Sequence, residues 1–370
     1  MSKKMVDGSL LLVEGAVRAG VEFYSGYPIT PANSIYFGAV RRVPYVLKAP
    51  DEITALQWAS GLAAAGRVPM TATSHAGFSL MVETVDMAFM MELPVSIILA
   101  QRLGPSTGSA TTSAQGDLSM VNRMVSGGYN FPVLSPSNLR DCFWLAGKSL
   151  EIATKLRTPV VVLTSKEMVG TERSFEIEDL PNLSHAQLKY FHEDEEYLPY
   201  AAGEDLVPDF LPLGDDDHQV RMTASTHDKK GILSRANPDA MANTARLQDK
   251  IEKGMKQFIY YDLDEQEDAN TLLVSYGVTS YAARQAVKKL RKGGQKVSLL
   301  VVKTLLPVAK QIQNILSSYS NVVVAEENLM GQYKRILYGE IEGSDISSVN
   351  SIGRLVTPSE IASEVNANGI

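Results

Sequence analysis

The sequence predicts an α/β protein: a doubly wound, mostly parallel sheet over residues 1–175, an irregular excursion over 176–265, and a smaller α/β unit over 266–370. Three observations carry this. Apolar runs such as LPVSIILA and TPVVVLT are continuous rather than alternating, as in parallel strands covered on both faces. Segments with helical spacing separate them, giving a βαβ rhythm. That rhythm stops at the acidic, turn-rich FHEDEEYLPY, GEDLVPDF and GDDDH, and resumes at TLLVSYG.

Taken in order, GSLLLVEGAVRAG reads as a helix and VEFYS as a short strand rich in β-branched and aromatic residues. In GYPITPAN, residues 26–33, Pro28 and Pro31 prevent further ladder pairing, and SIYFGAV then carries apolar residues at helical spacing. Thr30 is expected to cap that helix with Pro31 at its first position. The same hydroxyl is also a candidate ligand contact. EITALQWASGLAAAG is a helix with Glu52 in its first turn, where a carboxylate complements the helix dipole. Its small residues let another helix approach closely, which would bury that carboxylate, and buried carboxylates are often functional.

VPMTATS reads as a strand, SHAGFSLM as a glycine turn leading out of it, and VETVDMAFMMEL as the helix that follows. LPVSIILA ends at Arg102 and the loop GPSTGSATTSAQGD, whose glycines and hydroxyls suit a small polar ligand. SPSNLRDCFWLAGKSLEIATKL is a long helix with serine and proline at its start, and its Cys142 reads as a buried bystander. MANTARLQDKIEKGMKQF is a polar helix within the excursion. YAARQAVKKLRKGG, KVSLLVV, AKQIQNILSSY, NVVVAEE and YKRILYGEIEG complete the second unit.

Composition narrows the function. The 370 residues carry 45% hydrophobic and 21% charged residues, ordinary for a globular protein. A formal charge of −7 argues against a general nucleic-acid binder. The chain has no cationic apolar leader and no apolar run long enough to span a bilayer, so a cytoplasmic protein is expected. LAGKSL resembles the end of a phosphate-binding loop, but Cys142 stands where glycine is required. HEDEE lacks a second histidine, and the five histidines show no metal-ligand spacing. No G-x-G-x-x-G fingerprint is present.

What remains is a set of residues that follow predicted strands. Thr30, His75, Arg102 and the 104–117 loop all fall at the carboxyl edge of the sheet, where open α/β sheets bind ligands. A hydroxyl and an arginine suit a small carboxylate better than a phosphate chain.

These residues carry a resemblance. GYPITPAN, DEITA, MTATSHAGFSLM, QRLGPSTG with QGDL, LSPSN, HDKKG with TARLQDKIEK, and AEENLMGQYKRIL are together similar to the alpha subunit of 2-oxoacid:ferredoxin oxidoreductases, nearest the 2-oxoglutarate type. The resemblance spans nearly the whole chain in the expected order. It implies a pyrimidine-side domain of a thiamine diphosphate enzyme, followed by a smaller domain like the transketolase C-terminal one. Glu52 would hydrogen-bond the cofactor's pyrimidine ring nitrogen, and Tyr27, Pro28 and Ile29 would lie against the cofactor. Thr30 would sit beside cofactor and substrate, while Arg102, with His75 as a further candidate, would meet a substrate carboxylate. No G-D-G…N pattern is present (GDL at 116 and GDD at 214 do not match it), and one cysteine cannot hold an iron–sulfur cluster. The resemblance therefore places magnesium and the cluster on a beta subunit, with coenzyme A and ferredoxin as further partners. The absence of a gamma-type domain ahead of the chain suggests a two-subunit system. The family's glycine–proline is replaced here by His75–Ala76, and a second glycine by Leu103. Both replacements are expected to shape the substrate pocket. Branched-chain or aryl 2-oxoacids, or a non-catalytic interaction subunit, are the alternatives.

Overall fold

A computed structural model describes residues 3–177, 180–340 and 345–368. The first unit is built on a seven-stranded sheet. After the short β1 (Lys4–Val6), α1 (Gly8–Arg18) leads to β2 (Phe23–Gly26), α2 (Asn33–Arg42), β3 (Tyr45–Lys48), α3 (Glu52–Ala64), β4 (Pro69–Thr73), α4 (His75–Met90) and β5 (Val95–Gln101). A long loop and α5 (Leu118–Asn122) precede β6 (Val133–Leu134), α6 (Leu139–Leu156), β7 (Pro159–Ser165), α7 (Lys166–Gly170) and β8 (Arg173–Phe175). Strands β6, β7, β5, β4, β2 and β3 lie side by side in that order, all parallel. Every residue of β4, β5 and β7 is buried, which explains their unbroken apolar runs. β1 and β8 form a separate antiparallel pair.

From 180 to 237 the chain runs without helices or named strands, and α8 (Pro238–Gly254) follows. Leu247 and Ile251 of α8 join the core beneath the main sheet. An ionic knot fixes the helix there. The fully buried Glu92 carboxylate accepts from Lys250 Nζ at 2.7 Å and is also bound by Arg246. Burial pushes the Glu92 carboxyl upward, but the Lys250 and Arg246 cations outweigh it and hold the group at about 2.

The second unit holds β9 (Tyr261–Asp264), β10 (Thr271–Tyr276), α9 (Ser280–Lys292), β11 (Val297–Val302), β12 (Thr304–Leu306), α10 (Lys310–Ser317), β13 (Asn321–Glu326), α11 (Gln332–Tyr338), β14 (Ile346–Asn350) and α12 (Pro358–Asn368). Its five-stranded sheet runs β14-β13-β10-β11-β9, parallel except for β9. β12 leaves this sheet and pairs antiparallel with β6 at the edge of the larger one. Core residues of the two sheets, such as Val161 and Leu272, belong to one continuous apolar cluster. The sheets are thus welded through shared core and a strand crossing between them.

Three local expectations change. Thr30 does not cap α2: the helix starts at Asn33 with Ala32 as its cap residue, and Thr30 Oγ1 accepts instead from Asn33 Nδ2 at 3.1 Å. SHAGFSLM is not a glycine turn: α4 begins at His75 directly after Ser74, and Gly77 lies within the helix. The long helix begins beyond its serines and proline, at Leu139, capped by Asn138, whose side chain accepts from the Asp141 N–H. Cys142 is fully buried as expected. In YKRILYGEIEG the helix ends at Tyr338, and positions 341–343 lie outside the described residues.

Candidate active site

The four strands β5, β4, β2 and β3 are consecutive neighbours, and each delivers one candidate residue beyond its carboxyl end. Arg102 follows β5, His75 begins the helix after β4, Thr30 lies in the turn after β2, and Glu52 begins the helix after β3. Parallel strands all end on one side, so the alternation that makes the fold also gathers these side chains.

Glu52 is the first residue of α3, whose N-cap Asp51 accepts from the Thr54 N–H at 2.7 Å. Ala55, Ala59 and Ala63 are buried on the inner face of the helix, bringing it close to the sheet. Glu52 itself is only 9% exposed, and among the described residues its carboxylate has no hydrogen-bonding or ionic partner. It lies against Thr73 and the first turn of α4. A Cβ on Gly77 would stand 2.5 Å from Glu52 Cγ and 2.3 Å from Thr73 Oγ1, so glycine at 77 makes room for the glutamate.

Arg102 is 5% exposed and donates from one guanidinium nitrogen to the Thr30 carbonyl at 2.7 Å. This bond ties the β2 turn to the end of β5. Its Nε is buried without a partner. His75 Nδ1 lies 2.6 Å from Asp117 Oδ1. That hydrogen bond raises the imidazole's pKa, against opposing effects of partial burial and of the Arg102 cation. Asp117 is held in turn: its N–H donates to Gln101 Oε1 at 3.1 Å.

Other buried polar atoms at this edge also lack partners, including Ser74 Oγ, Asn33 Oδ1 and Asp117 Oδ2. Buried polar groups are nearly always paired, so a cluster of unpaired ones marks a place where a polar ligand belongs. Tyr27 is exposed at the rim, Pro28 is half-buried, and half-buried Ile29 packs on the core. The sequence brought in Asp117 only as the last residue of the 104–117 loop, with no role of its own. It is 42 residues from its histidine, and no local pattern pairs the two.

The 104–117 loop leaves Arg102 and is held at both ends. Leu103 N–H donates to the Thr112 carbonyl and Ser109 N–H to the Leu103 carbonyl, both at 2.9 Å. At the far end Gln115 bridges to the second unit: its Nε2 donates to the Tyr276 carbonyl, and its Oε1 accepts from the Glu327 N–H and the Thr279 hydroxyl.

A buried, unbonded carboxylate suits the ring nitrogens of a heteroaromatic cofactor. Residues 14–246 match the family described as pyruvate flavodoxin/ferredoxin oxidoreductase, thiamine diphosphate-binding. Residues 269–361 match pyruvate:ferredoxin oxidoreductase core domain II. Fold and site thus define a chain of the thiamine-diphosphate-binding oxidoreductases. The chain belongs to the pyruvate flavodoxin/ferredoxin oxidoreductase family.

Among its relatives are two proteins named 2-oxoglutarate synthase subunit KorA. That of Methanothermobacter thermautotrophicus strain Delta H is 31% identical, over 96% of each chain. That of Methanocaldococcus jannaschii is 32% identical, over 98% of each. The structure of 2-oxoglutarate:ferredoxin oxidoreductase from Magnetococcus marinus with 2-oxoglutarate, coenzyme A and succinyl-CoA bound superposes with a TM-score of 0.92 at 25% identity. It covers 99% of this chain, which spans 65% of that one.

The residues present fit the cofactor. Glu52 offers an unpaired, nearly buried acceptor for a ring N–H, and the glycine at 77 keeps the opposite wall clear of it. No helix among the described residues is long and apolar enough to cross a membrane.

Proposed function

We propose that this chain is the alpha subunit of a 2-oxoglutarate:ferredoxin oxidoreductase. With a beta subunit it decarboxylates 2-oxoglutarate oxidatively in the cytoplasm, yielding succinyl-CoA. Coenzyme A adds its thiol, carbon dioxide and a proton are released, and ferredoxin takes up the two electrons. The observation that carries the reading is an unbonded Glu52 on the same carboxyl edge of the sheet as Arg102 and His75, within a run of four neighbouring strands. Residues 1–175 are the pyrimidine-side domain, 176–265 the connection and 266–370 the transketolase-like domain.

Thiamine diphosphate supplies the nucleophilic carbon and the electron sink for decarboxylation. Glu52 would accept a hydrogen bond from the pyrimidine ring nitrogen at its carboxylate, and its near-burial would strengthen that bond. Tyr27, Pro28 and Ile29 form the rim beside the ring. Thr30 turns its backbone carbonyl to Arg102 and keeps its hydroxyl hydrogen available to substrate. The Arg102 Nε–H, buried and unpaired, is free to donate to a substrate carboxylate. His75, whose pKa is raised by its hydrogen bond to Asp117, supplies a second nitrogen donor near Arg102. Two nitrogen donors suit a 2-oxoacid that carries two carboxylates, and this favours 2-oxoglutarate over branched-chain or aryl substrates.

The beta subunit supplies magnesium, the diphosphate site and the cluster. It docks on the apolar face beside Glu52, where Ile53, Trp58 and Leu80 are 41%, 42% and 53% exposed. The test is oxoacid-dependent dye reduction by the assembled enzyme. Glu52→Gln should lose nearly all turnover while still assembling, and activity close to wild type in that variant would overturn the reading.

A further inference from the structure

Away from this edge, a cavity of about 320 Å³ opens where the two units meet. Its wall is largely apolar, with Leu139 from α6, Val278 from the turn before α9, and Leu355 from the segment before α12. Two carboxyl groups also line it: Glu167 in α7 and Glu327 just past β13. Glu327 is 2% exposed, yet its Oε2 has no hydrogen-bond partner, and neither has the buried Oε2 of Glu167. Burial pushes the Glu327 carboxyl up to about 7, and the Glu167 carboxylate adds repulsion.

Lys166 pairs with Glu167 only through Oε1, at 3.7 Å, so one oxygen of each acid stays unpaired in an apolar cavity, which is costly unless something completes it. Arg173 reaches the cavity mouth but does not do so. Its guanidinium lies over the Tyr281 ring, 4.3 Å from the centroid, and it forms no ion pair with either acid. A hydrated divalent ion fits poorly, because no third His, Cys, Asp or Glu joins the pair among the described residues. The missing partner is a donor with a positive charge and an apolar body.

We propose that this cavity binds a small organic cation, an ammonium or amidinium group on an aliphatic stem. The head bonds Glu167 and Glu327, and the stem lies against Leu139, Val278 and Leu355. Occupancy is connected to the active-site loop, because Glu327 exchanges both backbone hydrogen bonds with Gln115, its carbonyl accepting from the Gln115 N–H and its N–H donating to Gln115 Oε1.

The probes are n-butylammonium and its neutral counterpart n-butanol, titrated against the full chain by saturation-transfer NMR. The ammonium should bind saturably and about tenfold or more tightly than the alcohol, the factor expected of one charge-assisted hydrogen bond. Glu327→Gln should abolish that preference. Ala282→Leu, which narrows the cavity while leaving both acids in place, should weaken the ammonium and the alcohol alike, so the test survives a folding failure of either variant. Equal binding of the two probes, no saturable binding, or a preference kept in Glu327→Gln would each overturn the proposal.

Discussion

Gly77→Ala separates the geometry of the site from the stability of the fold. Gly77 lies inside α4, where alanine is ordinarily the better helix former by about 1 kcal/mol. Here the added methyl would stand 2.3 Å from Thr73 Oγ1, 2.5 Å from Glu52 Cγ and 2.9 Å from Glu52 Oε1. Carbon atoms make ordinary contact at about 3.5 Å, so the Glu52 side chain must withdraw by roughly 1 Å. Overpacking of this kind costs about 1–3 kcal/mol, and the helix gain offsets part of it. The net loss is therefore about 0–2 kcal/mol, a change of a few degrees in Tm. Catalysis is far less tolerant: a displacement of about 1 Å at a reacting group costs on the order of 100-fold.

Turnover is read by oxoacid-dependent reduction of a viologen dye by the assembled enzyme, at saturating thiamine diphosphate, with Tm taken on the same samples. The expected outcome is kcat lower by about 100-fold with Tm nearly kept. Adding Thr73→Ala removes the Thr73 contact but not the one with Glu52, so the double variant should stay impaired. A folded Gly77→Ala enzyme with wild-type turnover would refute the argument that Gly77 protects the position of Glu52.

Asp117→Asn removes the carboxylate that raises the His75 pKa above 6.5. In the wild type the imidazolium is lost as pH climbs through that raised value, and KM for 2-oxoglutarate should rise with it. The Arg102 cation and burial, the opposing influences, both remain in the variant. The break in its KM profile should therefore move to lower pH, and an unchanged profile would remove His75 from substrate binding. Glu92→Ala leaves Lys250 and Arg246 without their buried anion and should cost about 3–5 kcal/mol by denaturant unfolding. Because the Glu92 carboxyl is lowered from 4.5 to about 2, its stabilising effect is complete above 4.5 and lost as pH falls through about 2. Wild-type stability should decline in that window, and the variant should lack this component. Trp58→Glu should abolish association with the beta subunit in gel filtration while leaving Tm within a few degrees, and normal assembly would move the docking face elsewhere.

Much of this was legible in the chain because parallel strands announce themselves. LPVSIILA and TPVVVLT have nothing polar to alternate, and β5 and β7 prove buried at every residue. Once the strands are placed, the residues just beyond their carboxyl ends are candidates by topology alone. Pair geometry was not legible. Asp117 meets His75 through a loop whose conformation no local pattern dictates, and the need for glycine at 77 appears only when α3 and α4 are packed. The capping expectation for Thr30 failed for a local reason. Asn33, three residues on, offers its amide to the threonine oxygen, and the helix starts there instead. The β12 crossing was hidden because three residues joining a foreign sheet leave no periodicity to detect.

The smaller unit contributes to the site without supplying any of its four strand-end residues. The loop after Arg102 is exposed over residues 105–109 and rich in glycine and serine, so it cannot hold a geometry by its own packing. Gln115 solves this by directing both ends of its side-chain amide at the second unit, toward Tyr276, Thr279 and Glu327. One residue on, the Gly116 carbonyl accepts from Gln332 at 2.8 Å, and beyond it stands Asp117 against His75. The position of the His75 imidazole is thus set by a chain of hydrogen bonds that begins on the other unit. On this reasoning Gln115→Ala should reproduce the Asp117→Asn phenotype in part, raising KM for 2-oxoglutarate more than it lowers kcat. Glu52 lies across the site on α3 and does not depend on that chain. A Gln115→Ala enzyme that lost kcat while keeping KM would show instead that the second unit acts on the cofactor side.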